Sequence, residues 1–251
     1  GWFNSPFNMT DQYGRRSGYS YEYQQKIAAY TGWEYQYVTA SWAQLFQMLQ
    51  QGELDLLSNV SYKEERAASM LFSALPMGEE EYYAYISSRN SAITVDDYSS
   101  LNGRKVGVSK DSVQKDRLIA WASKYGVTPE IVELAGTEQD SLQKLYYGVL
   151  DVYISANLIK TDNEVVPLSN IGSSSIFFAI SSKRPDLKKE LDAAMSRIQD
   201  ENRYYNRQLY DKYIQTGGVS GFSFSVERHR QGRHTMIPVG CLCRSKLRSG
   251  A

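Results

Sequence analysis

The pattern Leu-x-x-Gly-x-Leu-Asp occurs twice, at Leu49 to Asp55 and again at Leu145 to Asp151. In each copy an apolar helical stretch halts at a glycine and passes straight into a strand. Glycine accepts the left-handed backbone that closes a helix, and the leucine two residues later re-enters the core. Taken as a repeat, the pattern predicts two α/β lobes of related plan.

The intervening sequence keeps that alternation. Residues 21–30 read as a helix stopped by Gly32, followed by the alternating strand WEYQYV at 33–38. Ser41 with Gln44 forms a capping box, and the helix it opens carries Trp42, Leu45, Phe46 and Leu49 on one face. Strands are expected at 54–57, 82–87, 105–108, 130–134 and 151–154, with helices at 112–125 and 138–147. Such alternation implies a mainly parallel sheet covered on both faces. A long final helix is expected over 185–210. Pro185 suits its first position, and Leu187, Leu191, Ala194, Met195 and Ile198 line one face. Beyond Thr216 the periodicity fails. Residues 217–225 read as a linker, and a basic stretch separates them from MIPVGCLC at 236–243.

Charge and motif content exclude several functions. Lysine plus arginine equals aspartate plus glutamate, 28 each, so the chain has no broad electrostatic hold on nucleic acid or an acidic membrane. No run approaches the roughly 20 apolar residues that span a bilayer, and the start has no basic-then-apolar leader. Any signal or anchor is therefore expected to have been removed or to lie outside the sequence. The 20 tyrosines suit core positions, surface positions and wet clefts alike. Cys241, Cys243, His229 and His234 fall short of a zinc signature, so neither a metal nor a cofactor is expected. There is no phosphate loop, no Gly-x-Ser-x-Gly elbow and no His-Glu-x-x-His. Both histidines lie in the tail, which removes a histidine base from the lobes. Asp96 with Asp97, and Glu79 to Glu81, read as solvated loop charges. The expectation is a binding protein rather than an enzyme.

The segment SNVSYKEERAASMLFS, residues 58–73, stands apart. Hydroxyl and amide side chains follow the end of a strand, and a short helix then carries Arg66. A guanidinium matches a carboxylate through two parallel hydrogen bonds, and ligands of open α/β sheets bind at the carboxyl ends of strands. Arg66 is thus either a ligand contact or the partner of Glu64 or another surface acid.

The segments DQYGRRSG (11–18), YSYEYQQKIAAYTGWEYQYV, LQQGELDLL, SYKEERAASMLFS and LNGRKVGVSKDSV occur in an order that resembles the type II extracytoplasmic solute-binding proteins, specifically the polar amino-acid-binding group. The likeness covers about residues 1–215. GYSYEYQQKIAAYTGW and VSYKEER resemble the members that serve as sensor domains of bacterial signalling proteins. The resemblance implies a two-lobed, periplasmic-binding-protein-like α/β fold in which each lobe is a mostly parallel sheet flanked by helices. Two crossing strands, at 82–88 and 175–181, would join the lobes. Lobe 1 would then comprise residues 1–85 and return at 179–215, lobe 2 would span 86–178, and 216–251 would be a linker or tail. The resemblance also implies that Arg66 takes a ligand carboxylate with help from Ser61 and Asn59. Phe7 is expected near the cleft wall and Ser112 at an anion-favouring helix N-terminus. Trp42 is expected either as an apolar wall or as core.

Departures from the family pattern bear on the ligand. The usual acid for an α-ammonium group is replaced by Ala156, followed by Asn157. Val113 stands where a second hydroxyl is common, and Asn4 lies near the aromatic stacking position. The ligand is then one without a free α-ammonium or one whose amine meets another group; the third option is a lobe that no longer binds. The family's first strand looks clipped. IPVGCLC at 237–243 resembles the missing strand and would begin a second repeat, fill the vacant slot or be a disordered remnant. The expected role is extracytoplasmic binding of a small anionic or amino-acid-like solute by hinge closure. The downstream partner would be a signalling module or, alternatively, a transporter permease. Membrane contact would come only through an anchor elsewhere.

Overall fold

A computed structural model describes residues 1–2, 7–95, 97–156 and 164–215. The proposed tail and its IPVGCLC motif lie outside the described residues. A short hairpin of β1 (Met9–Thr10) and β2 (Arg16–Ser17) leads into helix α1 (Tyr19–Thr31). Then come α2 (Trp42–Gln51), β3 (Leu56–Ser61), the single turn α3 (Glu64–Ala67), β4 (Met70–Phe72) and β5 (Gly78–Ser87). The second half contains β6 (Lys105–Ser109), α4 (Gln114–Tyr125), β7 (Glu130–Leu134), α5 (Glu138–Tyr146) and β8 (Val152–Ala156). The long strand β9 (Val165–Ser181) returns to the first half and feeds α6 (Pro185–Glu201) and α7 (Tyr205–Tyr210).

The two copies of the repeated motif close their helices with the same hydrogen bonds. Gly52 (φ 77°) and Gly148 (φ 71°) are both left-handed. Glu53 N–H and Leu54 N–H return to the Met48 carbonyl, and Val149 N–H and Leu150 N–H return to that of Lys144. These bonds satisfy carbonyls that a helix end would otherwise orphan. Leu54 and Leu150 are then buried, each in the core of its own half.

The sheet is mixed, with strand order β3-β9-β5-β8-β6-β7 and β4 also on β9. The expected parallel pairing is present in β8-β6-β7. The antiparallel part arises because β5 and β9 run alongside each other from Gly78↔Ile176 to Ser87↔Val165, and β3 and β4 then pair onto β9. The crossing ribbon is therefore longer than expected. On one side of it, Tyr19, Ile27, Phe178, Leu191 and Met195 pack between sheet and helices, with Leu45, Leu49 and Leu57 beneath α2. On the other, Val106, Val108, Leu118, Trp121 and Ile154 form the second core.

Two expectations are corrected. Residues 33–38 form no strand; their neighbourhood contributes one parallel bridge, Trp2↔Thr39, with Trp2 N–H on the Val38 carbonyl. Alternation alone cannot make a strand without a continuous ladder to pair with. The final helix breaks at Asn202 (φ −150°), whose side-chain carbonyl accepts Tyr204 N–H at 3.1 Å. A short amide side chain that captures nearby backbone competes with the helical bond and ends the helix. The chain restarts as α7 and finishes in a wider turn over Asp211–Gln215.

Candidate functional site

A cavity of about 830 Å³ opens beside the crossing strands, lined from both halves. Arg66 is in its wall and only 6% exposed. Its Nη1 donates to the Ser61 carbonyl at 2.8 Å and its Nη2 to the Asp111 carbonyl at 2.5 Å, while the guanidinium lies 5.0 Å from the centre of the Phe46 ring. Burial pulls the guanidinium below its ordinary pKa. Among the described residues no carboxylate pairs with it: the acceptors it holds are neutral carbonyls. The alternative partner Glu64 is thereby set aside. A buried cation without a paired acid is costly, and Arg66 lines the cavity.

The strand β3 delivers the flanking groups. Asn59 takes a left-handed conformation (φ 63°) where the β3–β9 register shifts. Such a bulge re-aims a side chain, and asparagine tolerates that conformation better than most residues. Asn59 and Ser61 both line the cavity. Asn59 Oδ1 accepts from Ser20 Oγ at 2.7 Å, and Ser61 Oγ lies 3.4 Å from the Tyr82 hydroxyl. Ser112 also lines the cavity, but its hydroxyl is engaged locally. It donates to the Ser109 carbonyl at 2.6 Å and accepts from Gln114 N–H at 3.2 Å, so it braces the start of α4. Trp42 lines the cavity and packs tilted on Phe46.

Two carboxylates complete the wall, and neither was expected there. Glu80, on β5, is 8% exposed and accepts from the Tyr82 hydroxyl at 3.0 Å. Burial pushes its pKa up to about 7; the Tyr82 bond opposes this and the nearby Glu138 charge adds to it. Glu138, in the first turn of α5, accepts from Ser155 Oγ at 2.6 Å, and burial raises its pKa also. A helix N-terminus ordinarily favours the ionised acid; here desolvation outweighs it. The reading of Glu79 to Glu81 as solvated loop charges is corrected: all three lie on β5, and Glu80 is buried. On a pleated strand alternate side chains face opposite ways. Glu79 and Glu81 thus reach Ser173 and Tyr83 on the outer side, while Glu80 turns inward. The alternation of β5 was the signal available in the sequence.

Phe7 is a second correction. It is fully buried in the first lobe, edge-on to Tyr19 at 5.1 Å, with Tyr23 and Ile27 in the same cluster, and so is core rather than cleft wall. Its size and apolarity let the interior claim it. Asn157 and Asn4 lie outside the described residues. Ala156 lines the cavity as a methyl group, beside Ser155.

Residues 3–216 match the model for bacterial extracellular solute-binding proteins, family 3. The chain belongs to that family. No curated protein has a matching sequence. Solved structures similar to this solute-binding protein include an ancestral arginine-binding protein bound to arginine (20% identity, 83% of this chain and 93% of that one, TM-score 0.67). Others are a putative L-cystine ABC transporter protein from Listeria monocytogenes (19%, 84% and 92%, 0.67) and a histidine kinase sensor domain similar to periplasmic binding proteins (20%, 83% and 91%, 0.65). At these identities the likeness establishes the two-lobed fold that the solute-binding protein shares with them. No helix among its described residues is long and apolar enough to cross a membrane.

Proposed function

We propose that this chain captures a small carboxylate-bearing, amino-acid-like solute outside the cytoplasm and reports its presence by closing around it, as the sensor domain of a bacterial signalling protein. The observation that carries the reading is Arg66, a buried guanidinium in the cavity wall with no acid partner among the described residues. Its fork reaches Ser61 on one side and Asp111 on the other, so an anion held there touches both halves. A ligand that contacts both halves binds the closed form better and shifts the population toward it. Hinging is about β5 and β9, with lobe boundaries near residues 85 and 179.

Membership of a family of extracellular binding proteins supports both the location and the class of ligand. The same closure serves a transport protein that delivers solute to a permease, and similar structures include both kinds. The encoded context separates them: a membrane anchor with downstream signalling modules supports the sensor, and a neighbouring permease supports transport. The role is binding rather than turnover, although an ancestral amino-acid-binding precursor of a dehydratase shares the fold. The test is a thermal-shift screen of the chain and of Arg66→Ala against amino acids and organic acids, with the hits followed by NMR. Binding raises the melting temperature. Stabilisation that disappears in the variant, with the solute recovered unaltered, supports the reading. Stabilisation that survives loss of the guanidinium, or chemical conversion of the solute, overturns it.

A further inference from the structure

We infer that Glu80 and Glu138 form a cation-recognition site in the cavity that holds Arg66, so that the ligand carries an amine or guanidine as well as a carboxylate. Its positive group is then met by these two side chains rather than by an acid at position 156. The inference rests on the Arg66 reading above and deepens it.

Four observations converge. Glu80 is more than nine-tenths buried, and both carboxylates line the cavity that holds Arg66. Among the described residues neither has a cationic partner. The donors found are neutral: the Tyr82 hydroxyl for Glu80 and the Ser155 hydroxyl for Glu138. The two acids come from different elements, Glu80 from a crossing strand and Glu138 from the first turn of α5, and a group between them touches the hinge and the second lobe together. Finally, the site where the family resemblance places an acid is a methyl group, Ala156.

Carboxylates removed from water without a counter-ion are strongly disfavoured, and an incoming cation with N–H donors relieves that penalty while satisfying their lone pairs. The cavity is thereby lined by charges of both signs, a guanidinium and two acids. Among the described residues no group of three or more His, Cys, Asp or Glu side chains is arranged to hold a metal, so the chemistry points to an organic cation. An ammonium or guanidinium within reach of both acids makes charge-assisted bonds. A ligand with only carboxylates instead needs both glutamates protonated and donating.

Calorimetry with the full chain at neutral pH decides between these. The probes are the L-amino acids, each paired with the 2-oxo acid of the same side chain, which for arginine and lysine also carries a neutral isostere in place of the side-chain cation. Expected is binding of at least one amino acid, with its 2-oxo partner weaker by about tenfold or more, equivalent to the loss of one charge-assisted bond. Glu80→Gln and Glu138→Gln should each weaken the amino acid by a similar factor. A 2-oxo acid that binds as tightly as its amino acid removes the cation site while leaving the Arg66 reading intact. So does undiminished amino-acid binding by both glutamine variants. The comparison of probes on the unaltered chain stands even if a variant fails to fold. Absence of binding by every probe overturns both readings.

Discussion

Arg66 donates through Nη2 to the carbonyl of Asp111, and Asp111 holds that carbonyl out by adopting a left-handed backbone at φ 59°. A non-glycine residue in that region is uncommon and carries a conformational cost. It is sustained here because the carbonyl meets a buried charge. The same two segments meet a second time through an ion pair between Lys63, the residue before α3, and Asp116 in the first turn of α4. The two contacts join the segment after β3 to the segment after β6.

Replacing Arg66 with alanine leaves the Ser61 and Asp111 carbonyls without their donor. The buried Ser61 acceptor costs roughly 1–3 kcal/mol when abandoned, the part-buried Asp111 acceptor costs less, and both are partly offset because a desolvated charge is removed as well. The variant should fold with a lower melting temperature and lose at least about 100-fold in ligand affinity, the worth of a bidentate charged pair. Arg66→Lys keeps the charge but not the fork and should recover only part of the loss. Calorimetry with circular dichroism as the folding control measures both.

Asp116→Asn removes the Lys63 pair, whose aspartate is 57% exposed. Exposed pairs contribute about 0–1 kcal/mol, so the closed population should fall by no more than about fivefold. The effect should shrink toward zero near 1 M salt, where screening is strong. Single-molecule energy transfer between labels on the two lobes reports this directly. An effect unchanged by salt would rule out the pair as its source.

Glu80 makes the ligand-free fold pH-dependent. Its folded pKa of about 7 lies above the ordinary 4.5, so the folded state binds the proton more tightly. The associated stability is fully present below about pH 4.5 and is lost as pH rises through 7, on the order of 3 kcal/mol at most. Glu138 acts in the same direction. Glu80→Gln should flatten the profile between pH 5 and 8 and melt higher than the parent at pH 8. Denaturant titrations across that range test it, and a parent whose stability rises with pH there would contradict the assignment.

Gly148→Ala should cost about 1–2 kcal/mol, the price of an L side chain in the left-handed region; space is not limiting, since a Cβ there meets nothing within 4 Å. Gly52→Ala should cost somewhat more, because its Cβ would lie 2.6 Å from the Lys183 side chain. Urea unfolding compares the two. Ligand affinity in the Gly148 variant should be unaltered, since that glycine lies away from the cavity lining.

Much of this protein was legible in local sequence. The Ser41–Gln44 capping box, the glycine closures at 52 and 148 and the strand at Glu130–Leu134 depend on residues only a few positions apart, and short-range hydrogen bonding and backbone sterics act alike in any context. The position of Arg66 on a short helix just past a strand end was legible too. The inward turn of Glu80, its approach to Glu138, the burial of Phe7 and the bulge that aims Asn59 belong to tertiary structure. Each depends on which face of an element the neighbouring layer covers, and that is set by contacts between residues distant in the chain, for which no local pattern carries a signal.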